Sequence, residues 1–449
     1  MKKLESHPAT SFLWNLLPIG LLVMSLELFT PGIVHAQPIQ VAASATQAQP
    51  SPTPATDSEE QYERLAAAFQ KHSYSIAMTE AGLSGPGADF LKQKAASAQF
   101  VLLGEEHNVK EVPDFTARLF AMLHQCCEFN HLALENDPVS AQAASMPPLK
   151  GNLGQLTQYA SKFPNAFTFL TRQELQMIAD VGKLATTKTD PVWGLDQSFG
   201  VLHALEELRT LPGINGRSSA FQELAEQARA LDSSRFTEGH HYMTMAKVSD
   251  LENLRKEVAP KPGSEADFIL GNLVSSARIY TNYRGEYTGY ASAFEREEQM
   301  KRLFMRGYRS AQKSGEAEPR VLLKMGHWHI FRGLGPSALQ TLGDFVTEFA
   351  LANGEDALSI AIFIHGSPNK WREVGEWQGM RPFGMAASAD HWMLIDFRPI
   401  REEIFAHEFG PLSPTMRSYI FGFDAALIIA NASPADAVTA SGGTRTSAK

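Results

Sequence analysis

Four short apolar runs in this chain each stop at an acidic or imidazole group, and that repetition constrains the fold more than any other feature. Phe100-Val101-Leu102-Leu103-Gly104 runs into Glu105-Glu106-His107, and His131-Leu132-Ala133-Leu134 into Glu135. Val192-Trp193-Gly194-Leu195 runs into Asp196, and Val321-Leu322-Leu323-Lys324-Met325-Gly326 into His327-Trp328-His329. Apolar runs of this length, bounded by turn residues, read as buried strands. In a parallel sheet their carboxyl ends share one edge, the edge where open α/β folds bind ligands. The expected fold class is α/β, with a mostly parallel central sheet flanked by helices. Runs reaching Asp396 and surrounding Asp424 fit further strands and carry less weight.

The middle of the chain alternates apolar and polar residues at helical spacing. Thr171 to Ala185, Gly200 to Thr210, Ser219 to Leu231 and Ser264 to Tyr280 each read as helices, with Leu211-Pro212-Gly213-Ile214-Asn215-Gly216 as a turn. Because this block interrupts the strands, it predicts an inserted helical cap at about residues 200–290. Only Cys126 and Cys127 occur; adjacent cysteines build no disulfide framework, and they read as small buried hydrophobes ending a helix.

Chemistry follows from the strand ends. His107 beside Glu105 and Glu106 is the preferred general base, since neutral imidazole accepts a proton near physiological pH. Alternation along an extended backbone puts Glu105 beside His107 and Glu106 on the other side, so Glu105 is the expected partner. His327 and His329 share a side by the same rule, positioned to polarise a carbonyl or bind metal, while Glu135 and Asp196 orient histidines or activate water. In Phe294-Glu295-Arg296-Glu297-Glu298-Gln299-Met300, Arg296 and Met300 share a helix face, which offers Arg296 as an anion clamp against the alternative of a solvated charge run. Glu238-Gly239-His240-His241 offers further imidazoles, with a solvated loop as the competing reading. Glu105, His107, Glu135, His327 and His329 are thus the catalytic candidates; Arg296, Asp196 and Glu106 are the substrate-binding candidates. Glu105, His107, Glu135 and His329 would suit a divalent metal, though no compact His-x-x-x-His helix specifies one. No Gly-x-Ser-x-Gly elbow supplies a covalent nucleophile.

The Gly-Glu-x-His after the first strand, the acid after the second, and the late Gly326-His327-x-His329 resemble the erythromycin esterase-like and ChaN-like haem-binding (TIKI/TraB-related) superfamily. Leu323 to Leu334, continuing to Leu342-Gly343-Asp344-Phe345-Val346, looks most like its uncharacterised bacterial members. In the esterases the first motif resembles Glu-x-x-His; the spacing Glu105-x-His107 is closer to the ChaN-like pattern. The resemblance implies either a hydrolase that turns water on an ester or related acyl bond, or a carrier of haem or another iron compound. Any haem would be non-covalent, because no Cys-x-x-Cys-His occurs.

Composition bounds the partners. A formal charge of −9 argues against nucleic-acid binding and leaves a small molecule as the expected ligand. Lys2 and Lys3, an apolar stretch from Leu16 to Leu26 and the small-residue end Val34-His35-Ala36 resemble an export signal, which predicts a periplasmic or secreted protein without a stable membrane span. The expected organisation is a signal peptide at 1–36, a Pro/Ser/Gln-rich linker at 37–58, one α/β domain at 59–431 and a flexible tail at 432–449.

Overall fold

A computed structural model describes residues 58–216, 218–232, 241–284, 288–335 and 338–438. The proposed signal segment, most of the linker and Glu238 to His240 lie outside the described residues.

Among the described residues nine strands form one sheet: β1 (Ser73–Thr79), β2 (Gly82–Ser84), β3 (Ala98–Glu105), β4 (His131–Leu134), β5 (Val192–Gly194), β6 (Val321–Gly326), β7 (Asp356–His365), β8 (Trp392–Asp396) and β9 (Ala425–Ala430). Their spatial order is β2-β1-β8-β9-β7-β3-β6-β4-β5. From β9 to β5 every neighbouring pair is parallel; β8 pairs antiparallel with both β9 and β1, and β1 with β2. The sheet is therefore mostly parallel with an antiparallel edge. β3 sits inside it between β6 and β7, and every residue of the strand is buried, which is why it lacks a polar face.

The pleat divides β3 between two cores. Val101 and Leu103 pack on one face with Leu119, Phe120 and Ile178, against α2 (Pro86–Ala96), α3 (Glu111–Cys127) and α6 (Arg172–Leu184). Phe100 and Leu102 pack on the other with Phe69, Phe304, Phe383 and Ile400. That layer holds α1 (Glu59–Lys71) and, beyond the sheet centre, helices Leu342–Ala352, Arg381–Ala386, Phe397–Phe405 and Pro414–Gly422. Each fully buried Leu or Phe contributes about 1.5–3 kcal/mol, so two filled faces favour the three-layer arrangement.

Between β5 and β6 the chain is helical: α7 (Leu202–Thr210), α8 (Ser219–Asp232), α9 (Tyr242–Met245), α10 (Val248–Val258), α11 (Glu265–Arg284) and α12 (Thr288–Lys313), after α4 (Pro138–Ala144) and α5 (Leu153–Lys162) earlier in the chain. Helices α7 to α11 bury a third core of their own, including Leu205, Leu224, Leu251 and Leu270. This is the inserted cap. Helix α12 returns from it to the sheet, delivering Phe304 and Tyr308 to the second core.

Two expectations need correction. Cys126 and Cys127 are bonded to each other as a disulfide in the last turn of α3. The first part of the expected tail is held, because Ser433 donates to Glu111 and Asp436 exchanges hydrogen bonds with Gln173. No helix among the described residues is long and apolar enough to cross a membrane.

Candidate active site

Parallel pairing brings the four strand ends together. Glu105 ends β3 opposite Gly326, the last residue of β6, while Glu135 follows β4 and Asp196 lies two residues beyond β5. Glu105, Glu106, His107, Glu135, Arg296, Gly326, His327, Trp328 and His329 line one cavity of about 310 Å³.

His107 is the most accessible titratable ring there. Its Nδ1 lies 3.2 Å from Glu105 Oε1, its ring stacks on Phe169 at 4.1 Å between centroids, and Nε2 is 3.6 Å from Glu135 Oε2. Nδ1–H donating to the carboxylate leaves Nε2 to accept a proton. Burial opposes the imidazolium, but Glu135 and Glu105 outweigh it and raise the His107 pKa above its ordinary 6.5.

Lys324 supports this pair from below. It is 2 % exposed, inside β6, and its Nζ donates to Glu105 Oε1 at 2.7 Å and to Glu174 Oε1 at 2.6 Å. Burial pushes Glu105 up, yet Lys324 and His107 hold it below the usual carboxylate value. For Glu174, from the first turn of α6, burial wins and the carboxyl is raised. Burial likewise disfavours the Lys324 ammonium, but its two carboxylates raise its pKa.

Glu135 is the hub. It accepts from Gly326 N at 2.7 Å and from Arg296 Nη2 at 2.7 Å, and despite burial His329, His107 and Arg296 bring it down to about 2. Arg296 also grips Asp196 through Nε at 2.8 Å and Nη2 at 2.6 Å. It reaches the pocket as its helix face implied, but its charge is already answered by two carboxylates, so it holds the wall instead of clamping an anion. Asp196 is fully buried and acts through that arginine.

The two late histidines part company. The strand stops at Gly326, whose N–H is taken by Glu135, and His327–Ile330 forms a helical turn, so alternation no longer applies. His327 is buried, its Nε2–H donating to the Ile362 carbonyl at 2.9 Å; burial lowers its pKa to about 4. As a neutral ring protonated at Nε2, it has only an acceptor at Nδ1, 3.5 Å from Glu106. It cannot stabilise an oxyanion. His329 Nδ1 pairs with Glu297 at 2.5 Å, and Nε2 faces the cavity 3.6 Å from Glu135. Glu106 pairs with Arg372 at 3.0 Å, and burial raises it.

Lys324, Glu174, Glu297, Arg372 and Phe169 were not singled out from the sequence. Lys324 carried a signal, a lone charge inside an apolar strand run. Glu174 was masked by an ordinary one: Thr171-x-x-Glu174 reads as a helix capping box. His241 is buried at the start of α9, where its ring packs on Phe199 and Tyr280, and it does not line this cavity.

The metal expectation fits poorly. Among the described residues no three His, Cys, Asp or Glu groups are arranged to hold a metal ion, and the carboxylates proposed as ligands already face Lys324 and Arg296. A haem iron calls for one or two uncommitted donors within apolar walls. Here His327 Nε2 is committed to Ile362, His329 Nε2 stands 3.6 Å from the Glu135 carboxylate, and carboxylates surround His107.

No protein-family model matches this sequence, and no curated protein matches it. Solved structures do. A Bacillus cereus protein superimposes with a TM-score of 0.53 at 15% identity, covering 83% of this chain and 98% of its own. A succinoglycan biosynthesis protein gives 0.53 at 14%, covering 84% and 99%. A histidine-to-asparagine mutant of the erythromycin esterase EreC, in its open conformation, gives 0.54 at 13%, covering 82% and 99%. These superpositions show that the chain has the fold of the erythromycin esterase EreC.

Proposed function

We propose that this protein is a hydrolase in which His107 activates water against an ester or related acyl bond. The observation that carries the reading is His107 itself, on the cavity wall, held by Glu105 at Nδ1 with Nε2 3.6 Å from Glu135 and a pKa raised by carboxylates. Nε2 takes a proton from water as the water oxygen bonds to the acyl carbon. The carbonyl oxygen gathers negative charge beside His329, whose ring donates from Nε2 only when it carries that proton as well as the one Nδ1 shares with Glu297. The bond to the leaving alcohol then breaks, and the alcohol oxygen receives the proton from His107, giving acid and alcohol. Glu135 and Arg296 fix the far wall, and Lys324 keeps Glu105 ionised.

Fold likeness to an erythromycin esterase supports a hydrolase of some kind, and the engaged His327 and the carboxylates around His107 disfavour the haem-carrier alternative. The signal-like amino terminus supports export to the periplasm or medium; amino-terminal sequencing of the exported protein, with a start at Gln37 expected, checks it.

Because the base must be unprotonated, kcat/KM for an activated ester such as p-nitrophenyl acetate is expected to rise with pH through a value above 6.5. A flat profile across pH 5–9, or no turnover of any ester, would overturn the reading.

A further inference from the structure

A second cavity, of about 430 Å³, opens beside the first between α11, α12 and the chain that follows β6. The two share Arg296, Trp328 and His329 as lining, so a molecule reacting at His107 has this space within reach. Its walls are mostly apolar and aromatic: Phe199, Ile279, Tyr280, Tyr283, Trp328 and Leu339. Pockets of this size and character take small organic ligands.

Its rim is unusually exposed. Tyr283 is 70% and Trp328 60% accessible although both line the cavity, and Tyr290, Phe294 and Leu334 are exposed on the same segments. Exposed apolar side chains gathered around a concavity mark a binding groove. The charged groups in the wall are already answered: Arg296 by Asp196 and Glu135, Glu297 by His329 and the Leu342 N–H. A charged ligand end would lose its water here and find no unpaired counter-charge.

We propose that this cavity is the subsite for an uncharged, apolar alkyl or aryl acyl group, and that the protein's substrates are therefore hydrophobic esters. The proposal rests on the hydrolase reading for its chemistry, while binding of the apolar group stands apart from it. His329, on the shared wall, places the acyl carbon between the subsite and His107.

The test compares p-nitrophenyl acetate with p-nitrophenyl octanoate on the full chain. Apolar burial predicts that kcat/KM for octanoate exceeds that for acetate by about tenfold or more. Ala293→Trp, which fills the cavity from α12, is expected to erase that ratio. Gly289→Trp serves as the second variant, since a Cβ there meets nothing within 4 Å. Equilibrium dialysis with 2-undecanone, which has no ester to cleave, reads the subsite alone. If no ester turns over but 2-undecanone binds the wild type and is lost from both variants, the subsite stands and the hydrolase reading fails. If acetate and octanoate react alike and 2-undecanone binds neither wild type nor variants, the subsite falls and the hydrolase reading survives.

Discussion

Lys324 carries a positive charge into the middle of a parallel sheet, which needs two carboxylates and a function to explain it. A lone buried ammonium costs several kcal/mol, so the lysine persists only because Glu105 and Glu174 close on it. Replacing it by Met would leave two buried carboxyl groups without their shared cation. Lys324→Met is expected to destabilise the protein by about 3–5 kcal/mol in urea unfolding. It should also raise the kinetic pKa of His107, because the Lys324 ammonium repels the imidazolium. Adding Glu174→Gln should recover part of the stability. A loss under about 1 kcal/mol would mean that the ion triad is not what holds Glu105.

At the scale of elements, two glycines decide how closely the strands can present their histidines. A Cβ at Gly326 would lie 2.9 Å from His107 Nε2 and 3.2 Å from Glu135 Oε2; one at Gly104 would meet His327 Cδ2 and Phe423 Cε1, both at 2.9 Å. The glycine that ends β6 thus makes room for the base supplied by β3. Gly326→Ala should cut kcat by about tenfold to a hundredfold while leaving the far-ultraviolet spectrum intact, since a misplacement near 1 Å costs that much. Unchanged kcat would show that the imidazole can move aside freely. The sheet was legible where burial on both faces forced continuous apolar runs, as in Val101 to Leu103 and Leu322 to Leu323. The antiparallel edge was not, because Ser73–Thr79 and Gly82–Ser84 are part-exposed and carry no such run. The site was legible in Glu105, His107 and Glu135, whose positions follow from the strand ends. It failed at His327, where the chain leaves extended geometry one residue after Gly326, and at Arg296, whose acidic neighbours come from distant strands. Spacing along a chain reports the face of a regular element, and a side chain's partners across the fold are invisible to it.

For the whole molecule, the site's charges make stability depend on pH. Glu135 is brought to about 2 from an ordinary 4.5, so its contribution is complete above 4.5 and is lost as pH falls towards 2. The stability difference between wild type and Glu135→Gln should shrink across that window, read by thermal unfolding at each pH; a constant difference would contradict the assignment. His107 acts oppositely, adding stability below 6.5 that disappears as pH rises through its raised pKa. The ion network holds one imidazole between two carboxylates on the wall of a cavity. The most direct test is the hydrolysis rate of His107→Ala on p-nitrophenyl esters, with folding checked by circular dichroism. The account predicts a folded protein whose kcat falls by about a hundredfold to ten-thousandfold. A folded variant that hydrolyses these esters at the wild-type rate would contradict it.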